Sequence, residues 1–121
     1  MKPERRGRID HEIQRAIAKI IGEEIKDPRL GFVTVTRAEI TGDMKHCKVH
    51  VSVIGDRHVA RQSMDVLESA KGFIRGRLGE EVKLRNTPEL TFVEDRSTER
   101  AIEMTYKVDK AAAVSSGKTA E

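Results

Sequence analysis

Isoleucines at helical spacing near the start of the chain most constrain how this sequence can fold. They recur every three or four residues: Ile9, Ile13, Ile17, Ile20 and Ile21. This spacing predicts a helix from about Asp10 to Ile25 with one buried face. Asp10 is a candidate N-cap, and Asp27-Pro28 is expected to stop the helix, because the residue before a proline disfavours helical backbone. The opposite face is predicted to be solvated and carries Arg15, Lys19 and Glu23.

Two alternating segments follow this helix and predict a β-hairpin. The first, Phe32 to Thr36, is rich in β-branched residues. In the second, one set of side chains points to one face: Cys47, Val49, Val51 and Val53. The alternate set points to the other face: His46, Lys48, His50 and Ser52. Thr41-Gly42-Asp43 predicts the turn between the strands, and Gly55-Asp56 ends the second strand.

A long helical pattern from Arg57 to about Leu78 contains a cluster of small residues, Ser69-Ala70-Lys71-Gly72. A glycine inside a continuous helix costs about 1 kcal/mol relative to alanine. Either this glycine is tolerated or two helices meet here. We favour a break, because the apolar pattern restarts at Phe73-Ile74-Arg75.

The last part of the chain predicts one more strand and one more helix. Pro88 fits the entry to a strand from Leu90 to Val93. Ser97 is a candidate N-cap for a helix ending near Tyr106, and residues 109–121 are expected to form a disordered tail. The order helix, strand, strand, helix, helix, strand, helix predicts an α+β domain with its helices on one face of a three-stranded sheet.

Several classes of function lack a matching motif. The chain has no P-loop, no dinucleotide fingerprint and no G-x-S-x-G element. His46 and His50 would lie roughly 13 Å apart on a strand, too far to share a metal. The single cysteine, Cys47, is expected to be a buried thiol. No apolar run is long enough to span a bilayer, and the start of the chain lacks a signal-peptide pattern. We therefore predict a monomeric cytoplasmic protein that is not an enzyme and has no metal, cofactor, small-molecule substrate or membrane partner.

The charges are distributed unevenly along the chain, although the net charge is only +3. Residues 1–8 form a predicted basic arm ahead of a domain over residues 9–108. Residues 57–85 carry seven basic and four acidic side chains, whereas residues 86–105 carry five acidic and two basic ones. A split into a positive and a negative side is typical of an oriented polyanion binder, whereas a merely solvated surface would be more evenly mixed. RNA is the favoured partner.

A literal GXXG sequence, Gly76-Arg77-Leu78-Gly79, has the form of the loop with which KH domains clamp nucleotides. Glu80 and Glu81 would then face an incoming phosphate, and little chain remains for a following helix before Pro88. Gly79 as a helix C-cap is the simpler interpretation. We expect the Ala70-Lys71-Gly72 junction to let a phosphate backbone come close instead.

Several segments occur together in an order and spacing that is specific. They are Arg5 and Arg8 ahead of the first helix, Lys26 to Thr36, Asp43, Val49-His50-Val51-Ser52, Ala70 to Arg75, Leu84-Arg85 and Pro88 to Asp95. With these segments the chain resembles the ribosome-binding factor A family of bacterial small-subunit assembly proteins. The resemblance implies a type II KH-like fold in which an Ala-x-Gly kink, here Ala70-Lys71-Gly72, replaces GXXG. It also implies binding to the 30S subunit and its 16S rRNA, assistance in late maturation of that RNA including its 5′ end, a role in growth in the cold, and no catalytic activity or cofactor.

The predicted RNA contacts are the kink and the basic side chains near it and near the start of the chain: Arg5, Arg6, Arg8, Ala70, Lys71, Gly72, Arg75, Arg77, Lys83 and Arg85. Their alternative role is a solvated helix face that pairs locally with acidic neighbours, namely Glu68, Glu80 or Glu81. Arg85 has a second alternative, a brace against Asp95. Lys48 and His50 are lesser candidates, and Asp27-Pro28-Arg29 is predicted to be a structural turn first. Two other functions stay open, a general KH-type single-stranded RNA or DNA binder and a protein-interaction module that docks through the acidic half.

Overall fold

The computed structural model describes residues 3–96, with side chains from Arg6 onward. Six elements follow one another along the chain: α1 (Pro3–Glu24), β1 (Phe32–Ile40), β2 (His46–Ile54), α2 (Arg57–Ser69), α3 (Lys71–Glu81) and β3 (Glu89–Glu94). This order confirms the predicted α+β class and the break between the two central helices. The closing helix predicted from Ser97 and the tail predicted at 109–121 lie outside the described residues. None of the helices in this part of the chain is long and apolar enough to cross a membrane.

The three strands form one sheet in the order β1-β2-β3. β1 and β2 are antiparallel, as predicted for a hairpin, while β3 runs parallel to β2 and therefore needs a crossover, which α2 and α3 provide. β1 extends beyond the predicted end at Thr36, because a bulge between Val35 and Arg37 resets the alternation. After the bulge, Ala38 and Ile40 point into the core again.

The core lies between the helices and one face of the sheet. The isoleucines of α1 are buried as their spacing predicts, and Ile13, Ile17 and Ile20 have no exposed surface. The buried side of β2 consists of Cys47, Val49 and Val51, again as predicted. The arrangement is consistent with the KH-like fold implied by the resemblance. No helix or strand within residues 3–96 covers the opposite face of the sheet, which we call the open face.

The predicted start of α1 was wrong. The helix begins at Pro3, not after Asp10, so residues 3–8 form its first turns and not a separate arm. Proline is favoured in the first turn because its missing N–H would have no helical partner there. Within the helix, Asp10 has a different role. Its Oδ1 accepts a hydrogen bond from the backbone N–H of Ile40 at 2.8 Å, which ties α1 to the end of β1.

The segment between α1 and β1 is a turn held by Asp27 and Arg29. Asp27 Oδ1 accepts from the Arg29 backbone N–H at 2.9 Å and from Arg29 Nε at 3.1 Å, while Oδ2 accepts from Nη2 at 2.8 Å. The turn ends where Gly31 donates its N–H to the buried Ser63 Oγ of α2 at 2.8 Å. A Cβ at position 31 would lie 2.6 Å from Val59 Cγ1, so glycine is needed for this close approach. The structure agrees with the predicted structural role of this turn.

We expect Asp27→Asn to lower the melting temperature above pH 3.8 and to have little effect as the pH approaches about 2. Hydrogen bonds from Arg29, first from its side chain and then from its backbone N–H, lower the pKa of Asp27 from 3.8 to about 2. Because the folded-state pKa is lowered, the stabilisation is present above pH 3.8 and is lost as the pH falls towards about 2. Thermal unfolding of both proteins from about pH 5 to about pH 2 should therefore show two melting temperatures that converge in acid. A constant difference across this range would contradict the assignment.

Candidate RNA-binding surface

The junction between α2 and α3 is a change of direction and not a loop. Ala70 separates the two helices with φ −90° and ψ 2°, off helical values. Helical hydrogen bonds nevertheless continue across it, because the Ala70 N–H donates to the Val66 carbonyl and the Ile74 N–H donates to the Ala70 carbonyl, both at 2.9 Å. The junction is therefore well defined on its inner side. The predicted break is confirmed at Ala70-Lys71.

The outer side of this junction is open. Gly72 is exposed and has no atom within 4 Å of where a Cβ would lie, so its backbone is accessible to a ligand. Phe73 beside it is 50% exposed, which is unusual for a large apolar side chain. Lys71 is not free, since its Nζ lies 2.6 Å from Glu68 Oε1, one turn earlier in α2. An RNA phosphate would have to compete with Glu68 for this ammonium group.

Arg75 supports the fold more than it faces solvent. Its Nη2 donates to the Thr87 carbonyl at 2.8 Å and its Nε donates to the Pro88 carbonyl at 3.1 Å. The guanidinium therefore fixes the segment that enters β3, and Glu89 lies 3.6 Å away. Several of its donor groups are satisfied within the protein, which leaves fewer for a phosphate.

Arg77 joins α3 to α1. Its Nε donates to Glu24 Oε1 at 2.8 Å, its Nη2 donates to Glu81 Oε1 at 3.1 Å, and its Nη1 also pairs with Glu80. The hydrogen bond from Arg77 lowers the pKa of Glu24 and in turn raises the pKa of the guanidinium. Three carboxylates surround this one cation, so its position matches the alternative role of local pairing.

The literal GXXG sequence lies inside α3 and does not form a loop. The predicted helix end at Gly79 was wrong, because the helix continues to Glu81 and its C-cap is Val82. Gly79 is needed for a different reason. A Cβ at this position would lie 2.7 Å from Thr87 Oγ1, so glycine lets the segment before β3 pack against α3.

Four of the predicted contact residues are exposed and unpaired. Within the described part of the chain, no ion pair or side-chain hydrogen bond involves Arg6, Arg8, Lys83 or Arg85. The proposed brace between Arg85 and Asp95 is therefore not formed, and Asp95 instead accepts from Thr36 Oγ1 at 3.2 Å. The side chain of Arg5 lies outside the described part. Among the predicted RNA contacts, the cations without such partners thus lie in the first turns of α1 and in the segment after α3.

The open face of the sheet offers a less basic surface. His50 is hydrogen-bonded through Nε2 to Glu39 Oε1 at 2.6 Å, and Arg37 lies 3.5 Å from the same carboxylate. Lys48 is exposed on this face. Phe32 and Ile54, which face each other across β1 and β2, are 73% and 67% exposed. The sequence analysis did not predict this exposed apolar pair. Its side chains alternate with those of the core, so in the sequence they look like ordinary strand residues.

The structure also places the side chains that were considered for other chemistry. Cys47 is buried, and this burial raises the pKa of its thiol to about 11, so the expected buried thiol is confirmed. Among residues 3–96, no three His, Cys, Asp or Glu side chains come together in a way that could hold a metal ion.

Comparison with known proteins decides the family. The model of the family described as ribosome-binding factor A matches residues 5–108 of this chain. The chain belongs to the ribosome-binding factor A family. It is 44% identical to the ribosome-binding factor A of Desulfitobacterium hafniense over 99 residues, 82% of this chain and 79% of that protein. The ribosome-binding factor A of Heliobacterium modesticaldum is also 44% identical, over 83% of each chain.

Solved structures of ribosome-binding factor A have the same fold. A Thermotoga maritima protein assigned to this family superposes with a TM-score of 0.69 at 32% identity, covering 80% of this chain and 93% of that one. A Thermus thermophilus ribosome-binding factor A, fitted as a homology model into a cryo-EM map of a 30S complex, superposes with a TM-score of 0.63 at 25% identity. This match covers 75% of the present chain and 96% of the Thermus protein. The fold implied by the sequence resemblance is confirmed.

Proposed function

We propose that this protein is a non-catalytic assembly factor that binds the free 30S ribosomal subunit through its 16S rRNA. The observation that carries the proposal is the match to the ribosome-binding factor A family over residues 5–108, combined with a related homology model fitted into a 30S complex. Exposed cations in the first turns of α1 and after α3 supply a surface that suits RNA phosphates. Small subunits assemble in the cytoplasm, so we expect the protein to act there as a monomer.

We propose binding by shape and phosphate charge with little recognition of base identity. The scarcity of aromatic residues, 3% of the chain, supports this mode, because base-stacking platforms need several exposed rings. The two helices at Ala70 offer an edge with an exposed glycine backbone, and Lys83 and Arg85 follow on the next segment. We infer that the bound protein holds an immature rRNA arrangement until folding and 5′-end processing are complete, with the strongest requirement in the cold, where RNA rearrangements are slow.

The decisive experiment is co-sedimentation of the purified protein with 30S subunits, 70S ribosomes and naked 16S rRNA at several salt concentrations. We expect binding to free 30S subunits that weakens steeply with salt, because each neutralised phosphate releases counterions. Equal binding to any RNA would favour the general nucleic-acid binder. Salt-independent binding would favour docking on a ribosomal protein through the acidic half.

Gly72→Ala separates the stability of the junction from its proposed function. The space around Gly72 admits a Cβ and its backbone is helical, so the substitution should not straighten the junction. Alanine is expected to stabilise α3 by up to about 1 kcal/mol relative to glycine. If the RNA backbone approaches Gly72 closely, the added methyl group should weaken 30S binding in this more stable protein.

Parallel thermal unfolding and co-sedimentation measure both effects. Gly76→Ala is the matched control, because Gly76 also lies in α3 with free space around it, one turn away from the junction. Unchanged 30S binding by Gly72→Ala would remove the junction from the binding mechanism.

A further inference from the structure

The outer side of α1 carries a row of three cations, of which only Arg8 was a predicted RNA contact. Arg8, Arg15 and Lys19 are exposed on the side of the helix opposite the buried isoleucines. Arg8 and Arg15 are about 10 Å apart along the helix axis, and Lys19 follows about 6 Å further on. We refer to Arg8, Arg15 and Lys19 as the α1 ridge. Its side chains point away from the sheet, because the spacing of seven and four residues returns to the same helical face.

The ridge continues onto the segment after α3. α1 packs against α3, and a shallow groove between them is lined by Arg15 and Lys19 on one side and by Glu81 and Val82 on the other. Lys83 is the next residue and is exposed. The groove beside the α1 ridge therefore ends one residue before an exposed cation that was predicted as an RNA contact.

Two of the three ridge cations have no ion-pair partner among the described residues, and the third has a long one. Arg8 and Arg15 form no ion pair within residues 3–96, and Lys19 has only a 3.9 Å approach to Glu81 Oε2. Glu81 is already paired with Arg77 through its other oxygen at 3.1 Å. Two further acids lie on this face: Glu12, which is exposed and lines the same groove, and Glu23, which is exposed one turn after Lys19. By contrast, Lys71, Arg75 and Arg77 each have an acidic partner within the protein.

We propose that the α1 ridge, together with Lys83, binds the phosphate backbone of an RNA duplex. This proposal rests on the proposed function and names a second contact surface, separate from the α2–α3 junction. The ridge lies on one face of a helix, and its exposed positions carry no Phe, Tyr or Trp that could stack on an unpaired base. Regularly spaced phosphates of a duplex fit such a surface, because duplex RNA is recognised mainly through its shape, its phosphates and its 2′-hydroxyls.

The test compares Arg15→Gln/Lys19→Gln with a matched control, Lys26→Gln/Lys45→Gln, which removes the same charge from two exposed positions in the segments after α1 and after β1. Both are assayed for binding to 30S subunits and to an isolated RNA duplex as a function of salt. The ridge variant is expected to bind both ligands roughly tenfold more weakly at low salt. Its logarithmic salt slope should be smaller by about two, roughly one for each lost phosphate contact. The control should bind as the unmodified protein does.

The two binding assays distinguish failure of the ridge proposal from failure of the proposed function. If the unmodified protein does not bind 30S subunits, the proposed function fails first. If it binds and the ridge variant has the same affinity and salt slope, the ridge proposal is wrong. Loss of 30S binding with unchanged duplex binding would also overturn it, since the ridge would then contact a ribosomal protein. Thermal unfolding of the ridge variant should match the unmodified protein, because both side chains are exposed.

Glu12→Gln gives a result in the opposite direction. This substitution removes one of the acids that oppose the ridge, so RNA binding should become tighter by a few-fold. A general loss of surface complementarity could not produce this gain. Unchanged or weaker duplex binding by Glu12→Gln would count against phosphate recognition by the ridge.

Discussion

Leu78→Ala is expected to destabilise the protein by about 2–5 kcal/mol, although Leu78 lies within a sequence that has the form of an exposed nucleotide-binding loop. Leu78 is completely buried and lies in α3, where it packs in the same core as Ile74 and the isoleucines of α1. Truncation to alanine removes apolar contacts and leaves a cavity that neighbouring helices fill only in part. For a domain of this size, such a loss lowers the melting temperature by roughly 10 °C or more.

Thermal and urea unfolding measure this effect, and Gly76→Ala is its control. Gly76 belongs to the same GXXG sequence but is exposed with free space for a Cβ, so alanine there should be neutral or stabilising. In a KH loop the pattern would be reversed: the leucine would be dispensable for stability, whereas alanine at a glycine would disturb the loop. A melting temperature of Leu78→Ala close to that of the unmodified protein would refute the helical assignment.

Local sequence patterns predicted most of the fold because they act at short range. The isoleucine spacing of α1, the alternation of β2 and the cluster of small residues at Ala70 each specify one element without knowledge of its partners. Burial then follows, since each element has one apolar face. The errors in these predictions have a different origin. The role of Asp10 depends on the end of β1, which packs against α1 only in the folded protein.

Gly79 also shows that local patterns miss contacts between distant parts of the chain. Gly79 looks like a helix end in the sequence, and the segment from Lys83 to Pro88 gives no hint that Thr87 packs onto it. The bulge after Val35 likewise hides the second half of β1, because it shifts the alternation by one residue. Such features depend on contacts between distant parts of the chain, which a one-dimensional pattern does not contain.

The sequence predicted which basic residues belong to the candidate site, but not which of them are already paired within the protein. Lys71, Arg75 and Arg77 look equivalent to Lys83 and Arg85 in the sequence, yet the first three are held by acidic groups or backbone carbonyls and the last two are free within the described residues. Arg15 and Lys19 were assigned only to a solvated face. The spacing that defines the buried side of α1 also places them in one row, so this row was available from the sequence.

Lys83→Glu/Arg85→Glu is expected to weaken 30S binding by about 100-fold while leaving the fold intact. Both side chains are exposed and make no ion pair within residues 3–96, so the folded domain loses no ion pair. Each substitution removes one charge-assisted contact to phosphate and adds a repulsive carboxylate, and about 3 kcal/mol in total corresponds to this factor. Co-sedimentation with 30S subunits measures the loss, and thermal unfolding shows whether stability is retained.

Arg77→Gln is the matched comparison, because Arg77 was predicted to contact RNA on the same grounds. Its guanidinium links Glu24 of α1 to Glu80 and Glu81 of α3, so its removal leaves three carboxylates close together without their cation. We expect a lower melting temperature from this variant and, under conditions where it is folded, nearly unchanged 30S affinity. The opposite pattern, stable folding with strongly reduced binding, would return Arg77 to the RNA-binding surface. The two variants together therefore distinguish cations that hold the helices to each other from cations that meet the ribosome.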